Sequence, residues 1–324
     1  MVSRLRSRPR SLLTAVVLWT GFLWAIVPPG AYAARSYREF ATPTHPSYPV
    51  DIVAGPDGNL WFTENRAAKI GRATLAGVIA EYSIASSNPF PYSMTVGPDE
   101  NLWFTENSGG IGRSTLAGSI TEFPSGGIPY GISAGPDGAL WFTDTWNNAI
   151  GRMTTAGVTR VFPLPGVQSY PGRIVTGPDR NLWFTELQGD RIGRMTPTGG
   201  LSEFSVPTAG AEPLGITSGP DGALWFTEAE GNKIGRITTT GVVSEFPVPT
   251  PNSFPQEITT GPDGNLWFTE YYSNQLGWVT PDGVVTESGH TSRSLGLGGI
   301  TTGLDGRVWF TEAYRDSIGA HVVG

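Results

Sequence analysis

The 324-residue sequence contains no cysteine, which rules out a disulfide framework and a lipid anchor on an N-terminal thiol. It has only 3 histidines, His45, His290 and His321, and nowhere a His-x-x-x-His spacing that would seat a metal. No Gly-x-Ser-x-Gly elbow and no phosphate-binding loop is present. Charge is also sparse, and basic residues are the scarcer kind: 21 Lys and Arg stand against 28 Asp and Glu, for a net charge of −7. Four of those basic residues, Arg4, Arg6, Arg8 and Arg10, crowd the N-terminus, so the chain beyond them carries −11 (−7 − 4). Such an acidic chain is a poor partner for nucleic acid or for an anionic membrane.

The four arginines have a ready explanation. They precede an apolar stretch from Ser11 to Val27, a Pro28-Pro29-Gly30 break and a small-x-small sequence, Ala31-Tyr32-Ala33. That order is the tripartite pattern of an export signal cleaved near Ala33, and there is no twin-Arg pair. Seventeen apolar residues left uncleaved would instead nearly span a bilayer. Residues 1–33 are therefore expected to be a signal peptide, and 34–324 one secreted domain, free of the membrane after cleavage and monomeric.

What the chain has in abundance is repetition. A Leu or Val followed by Trp-Phe-Thr-(Glu/Asp) occurs seven times, with tryptophans at Trp61, Trp103, Trp141, Trp183, Trp225, Trp267 and Trp309. The spacings are 42, 38, 42, 42, 42 and 42 residues, and six copies follow Gly-Pro-Asp. The 44 Gly and 27 Pro therefore punctuate short strands. In the unit from Pro213 to Thr250, Ile216-Thr217 begins a strand and Gly219-Pro220-Asp221-Gly222 turns the chain. Ala223 to Glu228, Ile234 to Thr238 and Val242 to Val248 supply three further strands, stopped by Pro249 and Pro251.

Each unit is thus a four-stranded antiparallel meander whose Trp-bearing strand is apolar on both faces, so it must pack between two neighbours. Seven such sheets make an all-β, seven-bladed propeller; a linear stack would need capping units. The seventh unit ends after three strands, and a spare fourth-strand signature, Arg38-Glu39-Phe40, precedes the first unit. The N-terminal strand is expected to complete the last blade and close the ring.

Subtracting the repeat separates scaffold from site. The acidic residue after each Trp-Phe-Thr (Glu64, Glu106, Asp144, Glu186, Glu228, Glu270, Glu312) belongs to the scaffold, with the Ile-Gly-Arg arginines (Arg72, Arg113, Arg152, Arg194, Arg236) expected as its ion-pair partners. The least repeated positions enter the innermost strands and line the mouth of the axial channel: Val50-Asp51, Tyr92-Ser93, Tyr130-Gly131, Gly172-Arg173, Leu214-Gly215, Gln256-Glu257 and Gly298-Gly299. Loops on one face are where binding concentrates. Asp51, Arg173, Gln256 and Glu257 are candidates to fix a polar ligand, with Tyr92 and Tyr130 as flat contact surface. The alternative is a hydrated mouth with mutually paired charges. Departures also gather in the last two units, where Tyr271 and Tyr314 sit in the loops.

The run Gly-Pro-Asp-Gly-Asn-Leu-Trp-Phe-Thr-Glu at Gly55 to Glu64 and Gly261 to Glu270, with Ile-Gly-Arg-x-Thr and Glu-Phe-x-x-Pro-Thr after it, resembles virginiamycin B lyases across all seven units. The resemblance implies a seven-bladed, Mg²⁺-dependent enzyme. Such enzymes linearise streptogramin B antibiotics by elimination across the ester C–O bond, with a His base and carboxylates holding the metal. It also implies chemistry at the ring just described. The family's Pro-His before Ile-Thr in the sixth unit is Pro255-Gln256 here, its acid-Pro-His-Gly in the seventh is Gly296-Leu297-Gly298-Gly299, and its first-unit Tyr is Val50. Its late Glu aligns with Glu312. His290, His45 and Glu312 are what remains as catalytic candidates, and no metal ligands are assigned. Three readings stand at this point: a secreted propeller binding a small polar or peptide ligand without the family's catalytic set, a divergent C–O lyase conferring antibiotic resistance, and a surface module engaging another protein. The sequence itself requires no cofactor.

Overall fold

A computed structural model describes residues 37–166, 168–290 and 296–323; the expected signal peptide lies outside them. They form seven four-stranded antiparallel sheets. Blade 5 is built from Pro213–Ser218, Leu224–Glu228, Lys233–Ile237 and Val243–Pro247, and the other blades repeat it. Blade 7 comprises Leu297–Thr302, Arg307–Glu312 and Ser317–Val322, and its fourth strand is Tyr37–Ala41, with Phe40 opposite Ile318. Phe40 stacks on Trp309 at 5.4 Å, as Phe204 stacks on Trp183 at 5.6 Å. The N-terminal strand thus takes over the packing as well as the hydrogen bonds of a regular fourth strand.

The repeated tetrapeptide can be read residue by residue. Each Trp is buried and reaches across to the next sheet: Trp183 packs with Leu224 and Phe226, and Trp309 with Leu60 and Phe62, which closes the ring of contacts. A buried indole still needs an acceptor for its N–H, and the Asp of the preceding Gly-Pro-Asp turn supplies it, as in Trp61 Nε1 to Asp57 Oδ1 at 3.0 Å and Trp225 Nε1 to Asp221 Oδ1 at 3.1 Å. In blades 1, 3 and 5 the same Asp takes the Ile-Gly-Arg guanidinium, at 2.7 Å for Arg72–Asp57 and 2.6 Å for Arg152–Asp137 and Arg236–Asp221, whereas Arg194 donates to Thr239 O at 2.9 Å. This corrects the expectation that these arginines pair with the acids after Trp-Phe-Thr. Arg and Trp stand directly opposite each other in the ladder (Trp61 with Arg72), so both side chains lie on one face, while the Glu is three residues farther along.

The Thr holds the site-bearing strand. In every first strand the pairing skips, from Pro213 opposite Glu228 to Ile216 opposite Phe226, leaving Leu214 and Gly215 outside the ladder. Their backbone groups are satisfied by threonines instead. Gly215 N donates to Thr227 Oγ1 of its own blade at 2.9 Å, and Leu214 O accepts from Thr185 Oγ1 of the preceding blade at 2.9 Å. The bond repeats to Thr311 Oγ1, which donates to Val50 O at 2.9 Å. Seven hydroxyls therefore stitch the blades together at the ring of channel-mouth residues.

Candidate functional site at the upper rim

Within each ring pair the second residue turns toward the axis. Four of the seven are Ser93, Gly131, Gly215 and Gly299, and their smallness follows from close approach: a Cβ on Gly215 would meet Gln256 O at 2.6 Å. Three large side chains fill the remaining space. Arg173 Nη1 donates to Asp51 Oδ2 at 3.0 Å and Arg173 Nε to Glu257 Oε1 at 2.5 Å, tying blades 1, 4 and 6 across the channel. The side chains are 8% exposed for Arg173 and 13% for each carboxylate. Asp51 is further held by the N–H groups of Ile52 and Met94, each at 2.9 Å. Tyr92 and Tyr130 share a hydroxyl hydrogen bond of 2.7 Å, and the guanidinium lies 5.5 and 6.0 Å from their ring centres.

The electrostatics follow from this packing. Burial opposes the charge of Arg173, but Asp51 and Glu257 more than compensate and raise its pKa. One cation faces two carboxylates, and burial carries Glu257 up to about 7, against the pull of Arg173. Burial likewise raises both tyrosines. The three charges are paired with one another and form a plug across the channel mouth. Gln256 stands beside it with a buried Oε1 that has no hydrogen-bond partner among the described residues.

The other candidates lie apart. Tyr271 and Tyr314 do meet, hydroxyl to hydroxyl at 3.0 Å, in an aromatic cluster with Tyr48 and Phe254 over blades 6, 7 and 1. His45, 57% exposed, is bonded through Nδ1 to Asp316 at 3.2 Å. Glu312 is buried and accepts hydrogen bonds from Tyr37 at 2.7 Å and Ser317 at 2.8 Å. His290 ends the fourth strand of blade 6, opposite Gln275; its side chain lies outside the described residues. His45 and Glu312 are thus held by separate partners. Nor do the mouth residues fit the Mg²⁺ that the resemblance implies. That ion wants near-octahedral oxygen ligands and binds through carboxylates, whereas both mouth carboxylates are engaged by one guanidinium. Among the described residues no group of three or more His, Asp or Glu side chains is placed to hold a metal.

Next to the plug the surface opens. A cavity of about 480 Å³ is lined by Asn107, Ile128, Tyr130, Thr145, Trp146 and Tyr170. Trp146 is 65% exposed, whereas the seven repeat tryptophans are fully buried. Of these residues only Tyr130 is among the candidates the sequence offers. Trp146 left a legible signal, being a tryptophan outside the repeat, in a loop whose counterparts are polar or small in most units. Ile128 and Tyr170 left none, because they lie in crossings whose path only the folded chain defines.

Residues 32–127 and 124–323 match the virginiamycin B lyase family. Among solved structures, a streptogramin B lyase is 42% identical with a TM-score of 0.84, over 88% of this chain and 96% of that one. Virginiamycin B lyase from Staphylococcus aureus is 39% identical with a TM-score of 0.85, over 89% and 99%. A catalytically inactive histidine-to-alanine variant of the same enzyme, with quinupristin, matches equally well. With the match spanning the whole ring of blades, the chain belongs to the virginiamycin B lyase family.

Proposed function

We propose that the protein is an exported member of this family that binds a small polar or peptide ligand on its upper rim and does not carry out the family's elimination. The observation that carries the reading is the cavity beneath Trp146, since an exposed indole beside two tyrosines and an isoleucine offers an apolar, flat-walled seat. The absence of turnover rests on the positions where the resemblance puts histidines. These hold Gln256 and Gly298, and a Cβ on Gly298 would meet Thr311 Oγ1 at 2.7 Å and Val50 O at 2.9 Å. A base must reach the proton it removes, and His45 is turned to Asp316 instead. The relative that lacks one histidine, is inactive and yet holds quinupristin is a precedent for binding without catalysis. Export rests on the N-terminal pattern, and mature chain beginning near residue 34 should be recovered outside the cell.

The test uses the mature chain with Mg²⁺ and a streptogramin B. No linear isomer of unchanged mass should form above a protein-free control; its formation overturns the non-lyase reading in favour of the divergent lyase. In parallel, acetyl-Phe-Gly-Gly-amide should change the Trp146 emission saturably, and the Trp146→Phe variant should lose that change. A wild-type emission that stays flat removes the binding reading.

A further inference from the structure

The cavity beneath Trp146 does not end at blade 4. A neck of about 120 Å³ shares Tyr130, Thr145 and Tyr170 with it and continues past Pro171 and Gly172 to Leu187, Gln188 and Glu212. Those last three also line a further cavity of about 370 Å³, completed by Asp190, Gly210 and Glu230. The three spaces form one groove along the upper rim from blade 2 to blade 5, aromatic at one end and lined by three carboxylates at the other.

Among the described residues no lysine or arginine lines the acidic end. Asp190 is oriented by backbone N–H groups, from Gly210 at 2.7 Å and Glu212 at 3.3 Å. The nearest guanidinium in sequence, that of Arg191, is engaged by Glu186 and Glu203. Glu212 therefore feels burial and two neighbouring carboxylates, Glu230 and Asp190, all of which raise its pKa. Elsewhere in the blades the fold answers such acids with its own cations, as Lys69 answers Glu81 at 2.6 Å and Lys233 answers Glu245 at 2.8 Å. The lining of the groove's end supplies no such cation, so a ligand's positive charge would be complementary there.

Resting on the rim-binding reading above, we propose that the groove takes a linear peptide bearing an aromatic side chain at one end and an amine or guanidinium at the other. The ring lies against Trp146 and Tyr170, the narrow neck passes a backbone unit beside Thr145 and Gln188, and the cation sits among Asp190, Glu212 and Glu230. A cation joining several carboxylates in a partly enclosed cleft gains more than at an open surface. The order aromatic, link, cation follows from the order of the linings.

Three probes separate this from simple aromatic binding: acetyl-Phe-Gly-Lys-amide and the same peptide with norleucine or Glu in place of Lys, titrated against the mature chain by calorimetry and Trp146 emission. The Lys peptide should bind about tenfold more tightly than the norleucine peptide, and the Glu peptide more weakly than both. The advantage should shrink as salt rises from ~50 to ~300 mM, since screening shortens the reach of the carboxylates. It should vanish in the Glu212→Gln/Glu230→Gln variant, to which the Lys and norleucine peptides should bind alike. If Lys and norleucine peptides bind alike and the variant has no effect, the cationic specificity is wrong and rim binding survives. If no peptide binds, both fall.

Discussion

Raising the pH from about 5.5 to about 8.5 should weaken this propeller, and replacing Glu228 by Gln should remove part of that loss. Glu228 follows Trp-Phe-Thr in blade 5, is fully buried, and has no hydrogen-bond partner among the described residues on either carboxyl oxygen. Burial, with Glu245 nearby, pushes its pKa from 4.5 to about 8 in spite of Lys233. Glu64 and Glu106 are carried to about 8 by the same causes, burial first and then Glu81 or Glu122. A group that holds its proton more tightly folded than unfolded stabilises the fold fully below its unfolded pKa. That contribution declines as pH rises and is gone above the folded value. At neutral pH the loss is about 3 kcal/mol per carboxyl, from ~1.4 kcal/mol per unit of pH. Carboxylates with lowered values, such as Asp57 and Asp221, titrate well below this window and do not mask it. Guanidinium unfolding followed by tryptophan emission should give a midpoint that falls between the two pH values in the wild type and falls less in Glu228→Gln. A wild-type midpoint that is level or higher at the alkaline end, or equal slopes in wild type and Glu228→Gln, would refute the reasoning.

Two further outcomes test the architecture of the mouth. Arg173→Met strands Asp51 and Glu257 across the axis and should cost about 3–5 kcal/mol, the usual penalty for breaking a buried pair; adding Asp51→Asn and Glu257→Gln should restore most of the thermal midpoint. Thr227→Val keeps the shape but orphans Gly215 N and Gln256 O, now bonded at 2.9 and 2.8 Å. It should cost about 1–3 kcal/mol for each group left unsatisfied, measured by denaturant unfolding.

Much of this molecule is legible in its chain because the fold is periodic. The seven Trp-Phe-Thr strands specify the number of blades, since a strand apolar on both faces can be buried only between two neighbours. The surplus Arg38-Glu39-Phe40 strand announces the closure, since an unfinished blade leaves an open edge. Subtracting the repeat also leads to the ring from Val50 to Gly299. Sequence alone does not show that Asp51, Arg173 and Glu257 meet: Arg173 lies 122 residues from Asp51 and 84 from Glu257, and only closure of the ring brings three blades' side chains onto one axis. The arginine partners were misplaced for a related reason, because the ladder register that sets Arg72 beside Trp61 and Asp57 is a property of paired strands. The groove from Trp146 to Glu230 was hidden most fully. Its walls come from loops and crossings of neighbouring blades, where no period constrains the residues and only tertiary packing decides which of them meet.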